Sequence, residues 1–507
     1  MNWKRALLLA LVFISGMAGM AVEMAGSRLL APYFGSSLIV WANLIGLILL
    51  YLTAGYYLGG WLADRNPRAN LLFRLTSWAA LTIALIPSAA RPILQFAAIG
   101  FAAFRWGLLV SSFIGVMALF AVPVILLGCV SPFAIRLDLR GLHSTGRVAG
   151  GIYGISTLGS ILGTFLPVFW LIPALGTRRT FLLFALLLAL ISLLGLAQAL
   201  RRGAWPYALI PLAILALWAW NPGRPIKPAA GLVYEGESAY NYIQVLRQGE
   251  EYLLRLNEGE GNQSVYAPGK VLLYRIFDYF LAAPLFQPAD SRPQLRRVCL
   301  IGLAGGTIAR QYSEVYGPLP IDGVEIDPQI LAVARQYLDM NLSNLHVFIQ
   351  DGRYFINQTR NDYDVIVVDA YRPPYIPFHL ATTEFFLEAR RRLTPEGVLA
   401  VNVARTATDY SLVDIVASTL KEVFPAVFIV DAAESYNSMV VAAQGPVTRD
   451  DFEVQAARLS TPALRDVAQR VSEHLREFPA PITPPLRDDH APIEQVIHNM
   501  IWRFVWQ

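Results

Sequence analysis

The sequence predicts two unlike parts: an N-terminal α-helical transmembrane bundle, and a C-terminal α/β domain with a doubly wound sheet preceded by a small antiparallel β region. Three observations lead there. The 507-residue chain is 55% apolar and only 15% charged, which calls for a lipid-facing part. Residues 1–220 hold three acids, Glu23, Asp64 and Asp138, against fifteen Lys and Arg. From Val298 onward, short apolar β-branched runs alternate with helical segments, the pattern of a parallel sheet.

The net charge of +4 is therefore a sum of two opposite parts rather than one basic surface, and nucleic acid is not an expected partner. Cys129 lies in an apolar span and Cys299 in an expected strand. Two separated cysteines supply neither a disulfide framework nor a metal-ligand spacing.

About seven segments are apolar enough to cross a bilayer: 6–25, 38–63, 71–90, 107–133, 149–173, 180–200 and 204–220. Each has about 20 apolar residues, the length at which a helix pairs its own backbone groups across the hydrocarbon core. The first is too long, and too well followed by others, to be a cleaved signal. "MNWKR", "ADRNPR" and "IRLDLRGLHSTGR" fall on one side of the bilayer, and "ALRRGAW" agrees, whereas "GTRR" does not. The positive-inside bias makes that side cytoplasmic. Seven crossings would put the C-terminal domain outside, where nucleotide-type cosubstrates are scarce, so chemistry favours a domain that faces the cytoplasm. Glu23 stands at the end of the first span. It reads either as a substrate or proton contact, with Arg28 nearby, or as an interfacial acid in a structural pair.

Residues 221–230 read as a linker. "GLVYEGES", "YNYIQVLRQ" and "EYLLRLNEG" then alternate as short antiparallel strands. The expected division is 1–220 for the helices, 221–295 for the linker and small β region, and 296–507 for the doubly wound domain. Strands are expected at 297–301, 321–326, 344–349, 364–369, 397–403, 427–431 and 438–443, with helices at 328–340 and 381–393 among those between them. In such a sheet the ligand site lies beyond the carboxyl ends of the central strands.

The loops at those ends carry the chemistry. Gly302, Gly305 and Gly306 in "IGLAGGT" let backbone approach a ligand closely. Glu325 ends the next strand in "GVEIDP", where an acid can accept both hydroxyl hydrogens of a ribose. Asp351 follows the third strand in "FIQDGR" and Asp369 the fourth in "YDVIVVDAY". Helix capping accounts for each acid singly; three at successive strand ends point to one shared site. The glycine loop lacks the lysine of a P-loop, which favours an adenosine ligand without phosphates.

Here the sequence resembles a known family. "SAYNYIQV", "LRLNEG…NQSVY", "IGLAGGT", "VEIDP", "QDGR" and "YDVIVVDA" are similar to the spermidine synthase (polyamine aminopropyltransferase) family, which has the class I methyltransferase fold. The match spans roughly 231–445. Joined to a helical bundle, it resembles the membrane-fused spermidine synthase-like proteins of bacteria, and "DDHAPIE" near the end is similar to them too. "YYLGGWLADRNPR" and "VAGGIYGISTLGSILGTFLP" loosely resemble one six-helix half of a major facilitator transporter, with small residues for close helix packing.

The resemblance implies that Glu325 binds the ribose, Asp351 the adenine, and that Asp369 orients or deprotonates the attacking amine. It implies cosubstrate contacts from Gly302, Gly305, Gly306 and Gln263, and places Asn241 and Tyr266 among the polar contacts to the acceptor. Tyr371, Arg372 and His379, on the loop after Asp369, are further candidate substrate contacts. No tightly bound cofactor and no metal is implied; the cosubstrate is decarboxylated S-adenosylmethionine or S-adenosylmethionine itself. The implied setting is the bacterial inner membrane, with an amine or lipophilic acceptor, contact with lipid, and a homo-oligomer left open.

Two departures matter. The family usually has an aspartate in the glycine loop, where this chain has Ala304 and Gly305. It also has a second acid three residues after the catalytic one, where this chain has Arg372. A guanidinium in place of an acid repels a polycation by about 1 kcal/mol or more, but can pair with a carboxylate. Asp278, Asp488, Asp489 and Glu494 are candidate compensating acids, each also readable as a surface or capping residue; His490 is in the same position. Three functions follow: aminopropyl transfer first, methyl or alkyl transfer to a membrane-delivered acceptor second, and adenosyl sensing by a transport protein without turnover third.

Overall fold

A computed structural model describes residues 3–35, 37–103, 108–139, 145–220, 225–259, 261–291, 295–371 and 376–506. The chain forms two compact units, residues 1–230 with 235–242, and residues 231–234 with 243–507.

The first unit is helical: α1 (Trp3–Phe34), α2 (Leu38–Arg65), α3 (Ala69–Ala103), α4 (Leu108–Gly128), α5 (Val130–Asp138), α6 (Thr145–Leu166), α7 (Ile172–Leu175), α8 (Thr177–Leu200) and α9 (Leu209–Ala219). Among the described residues, six helical stretches are long and apolar enough to cross a membrane; α4–α5 make one of them and α6–α7 another. The expected seventh segment, 204–220, instead starts as a 3-10 turn over Arg201–Ala208 and continues as the 11-residue α9. With the 3-10 part at about 2.0 Å per residue and α9 at about 1.5 Å, Gly203–Ala219 reaches about 28 Å, close to a core of about 30 Å but shorter than the other six. The helix carrying Glu23 runs to Phe34, so Glu23 lies well inside it and not at its end.

Small residues set the closest helix contacts. A Cβ on Gly159 or Gly163 of α6 would collide with the backbone of Phe13 or Met17, and one on Gly16 with the carbonyl of Ser156. Gly55 and Gly59 of α2 meet Ile125, Gly128 and Cys129 in the same way. Dispersion between backbones replaces the hydrophobic drive that lipid removes. Polar pairs join other helices: Asn43 to Ser112 at 2.8 Å and Thr76 to Ser192 at 2.7 Å. Arg5 pairs with Asp138 at 2.9 Å and Arg136 with Asp64 at 3.3 Å. These pairs gather Arg5, Asp64, Arg136 and Asp138 at one end of the bundle.

Strands β1 (Leu232–Glu237), β2 (Tyr242–Gln248), β3 (Glu251–Leu256) and β4 (Ser264–Tyr266) follow as the expected small antiparallel region, with residues 235–242 counted in the first unit and the rest in the second. Next come α10 (Ile276–Tyr279), β5 (Val298–Ile301), α11 (Thr307–Tyr316), β6 (Ile321–Glu325), α12 (Pro328–Tyr337), β7 (Leu345–Ile349), α13 (Gly352–Gln358) and β8 (Tyr363–Val368). The chain ends with α14 (Thr383–Arg390), β9 (Leu393–Ala404), α15 (Ser411–Val423), β10 (Ala426–Asp431), β11 (Asn437–Ala443), α16 (Arg449–Ala457), α17 (Pro462–His474), β12 (Leu475–Glu477) and α18 (Ile493–Trp506).

The main sheet has the order β12-β10-β11-β9-β8-β5-β6-β7. Strands β5 to β9 are parallel, as the alternation of strands and helices requires, and β10, β11 and β12 are antiparallel. The sheet is therefore mixed, because β11 turns straight back after β10 and inserts beside β9. The central strands are largely apolar because helices cover both faces; Asp322 of β6, Asp364 of β8 and Asn402 of β9 are buried exceptions. Cys299, Ile301, Val324, Val368, Leu399, Phe385 and Val416 belong to one buried core.

Candidate active site

Strand register brings the site residues to one edge. Ile301 pairs with both Val324 and Val368, and Val368 with Val401. The next row therefore holds Asp369, Gly302, Glu325 and, on β9, Asn402. With strands about 4.8 Å apart, Asp369 and Glu325 stand about 10 Å from each other across the glycine loop.

The loop is a tight turn. Gly302 has φ +88° and Gly306 φ +79°, and Ala304 shares the left-handed region at φ +46°. A Cβ on Gly302 would collide with the carbonyl of Asp369. Every amide of the loop has a partner. Gly302 and Leu303 donate to the Val324 carbonyl, and Gly306 donates to Leu303. Ala304 donates to Glu325 at 2.9 Å and Gly305 to the Ser264 hydroxyl at 2.8 Å. Thr307 exchanges two hydrogen bonds with Val265, at 2.8 and 2.9 Å, so β4 is clasped to the loop.

Glu325 is buried. Its second oxygen accepts from the Asp327 amide at 3.0 Å, while Asp327 caps α12. Burial pushes its carboxyl above the usual range, and the Asp327 and Ala304 amides pull it back. Asp351 caps α13 through the amides of Arg353 and Tyr354, and its other oxygen meets His379 Nε2 at 2.9 Å. The His379 bond comes first among the causes that hold Asp351 below the usual carboxylate range. So Asp351 is a helix cap, as its position alone suggested, and His379 holds it in place.

Asp369 opens into a cavity of about 490 Å³ whose walls include Gln263, Phe277, Tyr371, Asn402, Glu434 and Asn437. Gln263, Phe277 and Asp369 also border a small recess against Gly302, Leu303 and Thr307. Asn402 donates to Asp369 at 2.7 Å, and Asn437 in turn donates to Asn402 at 2.9 Å. Desolvation pushes the Asp369 carboxyl up to about 7, against the lowering effect of Asn402. Tyr371 donates to the Asn402 carbonyl at 3.0 Å and accepts from the Ala404 amide at 2.8 Å.

Of the residues expected from sequence, Asp369, Gln263 and Tyr371 line this cavity, and Gly302 borders the recess. Glu325, Asp351 and His379 stand along the same sheet edge but are not among its lining residues. Tyr266 is not either: its hydroxyl meets Asp339 at 3.4 Å, with the Arg310 guanidinium 4.7 Å from its ring. Asn241 belongs to the helical unit's stretch 235–242, and Arg372 lies outside the described residues. Two of the compensating acids, Asp278 and Asp488, are engaged elsewhere. Asp278 is fully buried and takes the amides of Leu273 and Tyr274, Gln311 and Arg470. Asp488 pairs with Arg353 at 2.7 Å.

Sequence reasoning missed Asn402, Asn437 and Glu434. A lone asparagine in the apolar run "LAVNVA" was the available signal for Asn402. Glu434 follows β10 and accepts from Tyr279 at 3.1 Å; no spacing ties it to Asp369.

Comparison with known proteins fits this geometry. Residues 287–442 match a family described as "Spermine/spermidine synthase domain". A Bifidobacterium longum protein named "Probable polyamine aminopropyl transferase" is 38% identical over 193 residues, 38% of this chain and 40% of that one. The chain thus spans less than half the length of that relative. A Vibrio vulnificus "Polyamine aminopropyltransferase" is 30% identical over 258 residues, 49% of this chain and 80% of that one. The chain belongs to the spermidine synthase family. A human "eEF1A lysine and N-terminal methyltransferase" is also similar, 29% identical over 191 residues, 35% of this chain and 26% of that one.

Proposed function

We propose that the chain is a membrane-integrated aminopropyltransferase, with its C-terminal domain facing the cytoplasm and decarboxylated S-adenosylmethionine as cosubstrate. One observation carries the reading: Asp369, with a carboxyl near 7, faces a cavity of about 490 Å³ beside the glycine loop. In the reaction, the acceptor nitrogen attacks the propyl carbon next to the sulfonium. That carbon–sulfur bond breaks, methylthioadenosine leaves, and the proton of the amine passes to Asp369.

An amine attacks only when unprotonated, and a carboxylate poised near neutral pH is suited to take its proton. Asn402 and Asn437 hold that carboxylate in one orientation. Alignment supplies much of the rest, since the sulfonium is already a good leaving group. Glu434 gives the cavity a second acid, balanced by Arg470 at 3.5 Å and by Arg275 in the same wall. Glu325 takes the ribose: each of its oxygens accepts one amide hydrogen and keeps a lone pair. Gly302, Gly305 and Gly306 bring backbone against the cosubstrate, Gln263 contacts it, and Asp351, set by His379, faces the adenine end.

The test is incubation of the full-length protein in detergent with decarboxylated S-adenosylmethionine and a diamine. The expected product is methylthioadenosine, abolished in Asp369→Asn. S-adenosylhomocysteine formed from S-adenosylmethionine indicates methyl transfer instead, and adenosyl binding with neither product indicates a sensor.

A further inference from the structure

The helical unit contains a second cavity, of about 100 Å³, enclosed by α1, α2, α4, α5 and α6. Its walls carry one carboxylate, Glu23, with hydroxyls from Ser15, Tyr56, Ser131, Ser156 and Ser160. Of the three acids in residues 1–220, Asp64 and Asp138 pair with arginines at the end of the bundle. Glu23 has no such partner among the described residues. Arg28, the cation nearest in sequence, donates to the Ala239 carbonyl instead. The Ser15 hydroxyl is buried and also without a partner. No Lys, Arg or His lines the space.

A carboxylate in an apolar bundle is costly unless something satisfies it. Here a space several waters in volume adjoins it, ringed by hydroxyl oxygens that accept hydrogen bonds. The carboxylate repels an anion, and no cationic side chain lines the space to offset that. A cation with two or three N–H donors matches the set: one donor to the carboxylate, the others to hydroxyls. The apolar walls from Val12, Ile48, Leu52 and Leu127 suit an alkyl chain behind the charge. We propose that the helical unit binds a protonated primary amine in the cavity around Glu23. This goes beyond the transferase reading and stands without it.

The test is calorimetric titration of the full-length protein in lipid nanodiscs with n-butylammonium chloride, against sodium chloride of equal strength. The native protein and Asp369→Asn both show one saturable event. Glu23→Gln weakens it at least tenfold. Gly19→Leu is the second variant: Gly19 lines the cavity, and a Cβ there meets nothing within 4 Å. It fills the space, keeps the carboxylate, and also weakens binding at least tenfold. Native-like affinity in both helical variants overturns the proposal. So does the absence of saturable binding in the native protein, or binding that Asp369→Asn alone abolishes.

Discussion

Replacing Asp369 with asparagine probes the site with the least change of shape. The amide oxygen can still accept from Asn402, so the cavity wall stays in place. What goes is the proton acceptor, and a positioned base contributes about 100- to 10,000-fold to a rate. The expected loss in methylthioadenosine release falls in that range. The native enzyme should also show a pH profile set by a carboxyl near 7. About a tenth of it is ionised at pH 6 and about nine tenths at pH 8, so the rate should rise roughly tenfold between them.

Stability should move the other way. A carboxyl whose folded value lies above its ordinary 3.8 favours the protonated form. It therefore weakens the fold progressively as pH rises from about 4 to about 7, and fully above that. Three units correspond to about 4 kcal/mol as an upper bound. The variant should melt higher than the native protein at pH 8.5, with a smaller difference at pH 5.5, in a thermal scan of the detergent-purified protein. Equal melting at both pH values, or a variant keeping a tenth of native activity, refutes the reasoning.

Other perturbations have defined outcomes. Asn402→Ala removes the donor that lowers Asp369, so the activity profile should shift about one unit to higher pH, the worth of a hydrogen bond to a charged group. Gly302→Ala forces a side chain to φ +88° against the Asp369 carbonyl; it should destabilise by about 1–3 kcal/mol and lower activity, read by melting and turnover. Gly163→Leu on α6 obstructs the backbone of Met17, and should sharply reduce the monodisperse protein recovered in detergent.

Much of the fold was legible in sequence because its signals are local. Runs such as "VCLI" and "DVIVV", each followed by glycine or an acid, are strands ending at loops, and they fell where expected to within a few residues. The antiparallel half was not legible: nothing local says that β11 will insert beside β9. The candidate site divides in the same way. Asp369 and Glu325 announced themselves by ending strands. Asn402 and Asn437 act through register across β9 and β11, a relation that exists only after the sheet forms. Asp278 looked available to the site and is instead buried under four donors, because a helix and a turn close around it. The segment 204–220 has the composition of a span but begins as a 3-10 turn around Pro206, where the missing amide interrupts the α-helical ladder.

The full occupancy of amide hydrogens in residues 302–306 has a consequence for what the turn can hold. A glycine turn of this kind grips diphosphates when its N–H groups point outward and unpaired. Here they are tied inward, to a carbonyl, a carboxylate and a serine. A phosphate therefore finds no free amide within residues 302–306. The resting backbone of the turn thus spends its donors on holding β4, β6 and Glu325 in place.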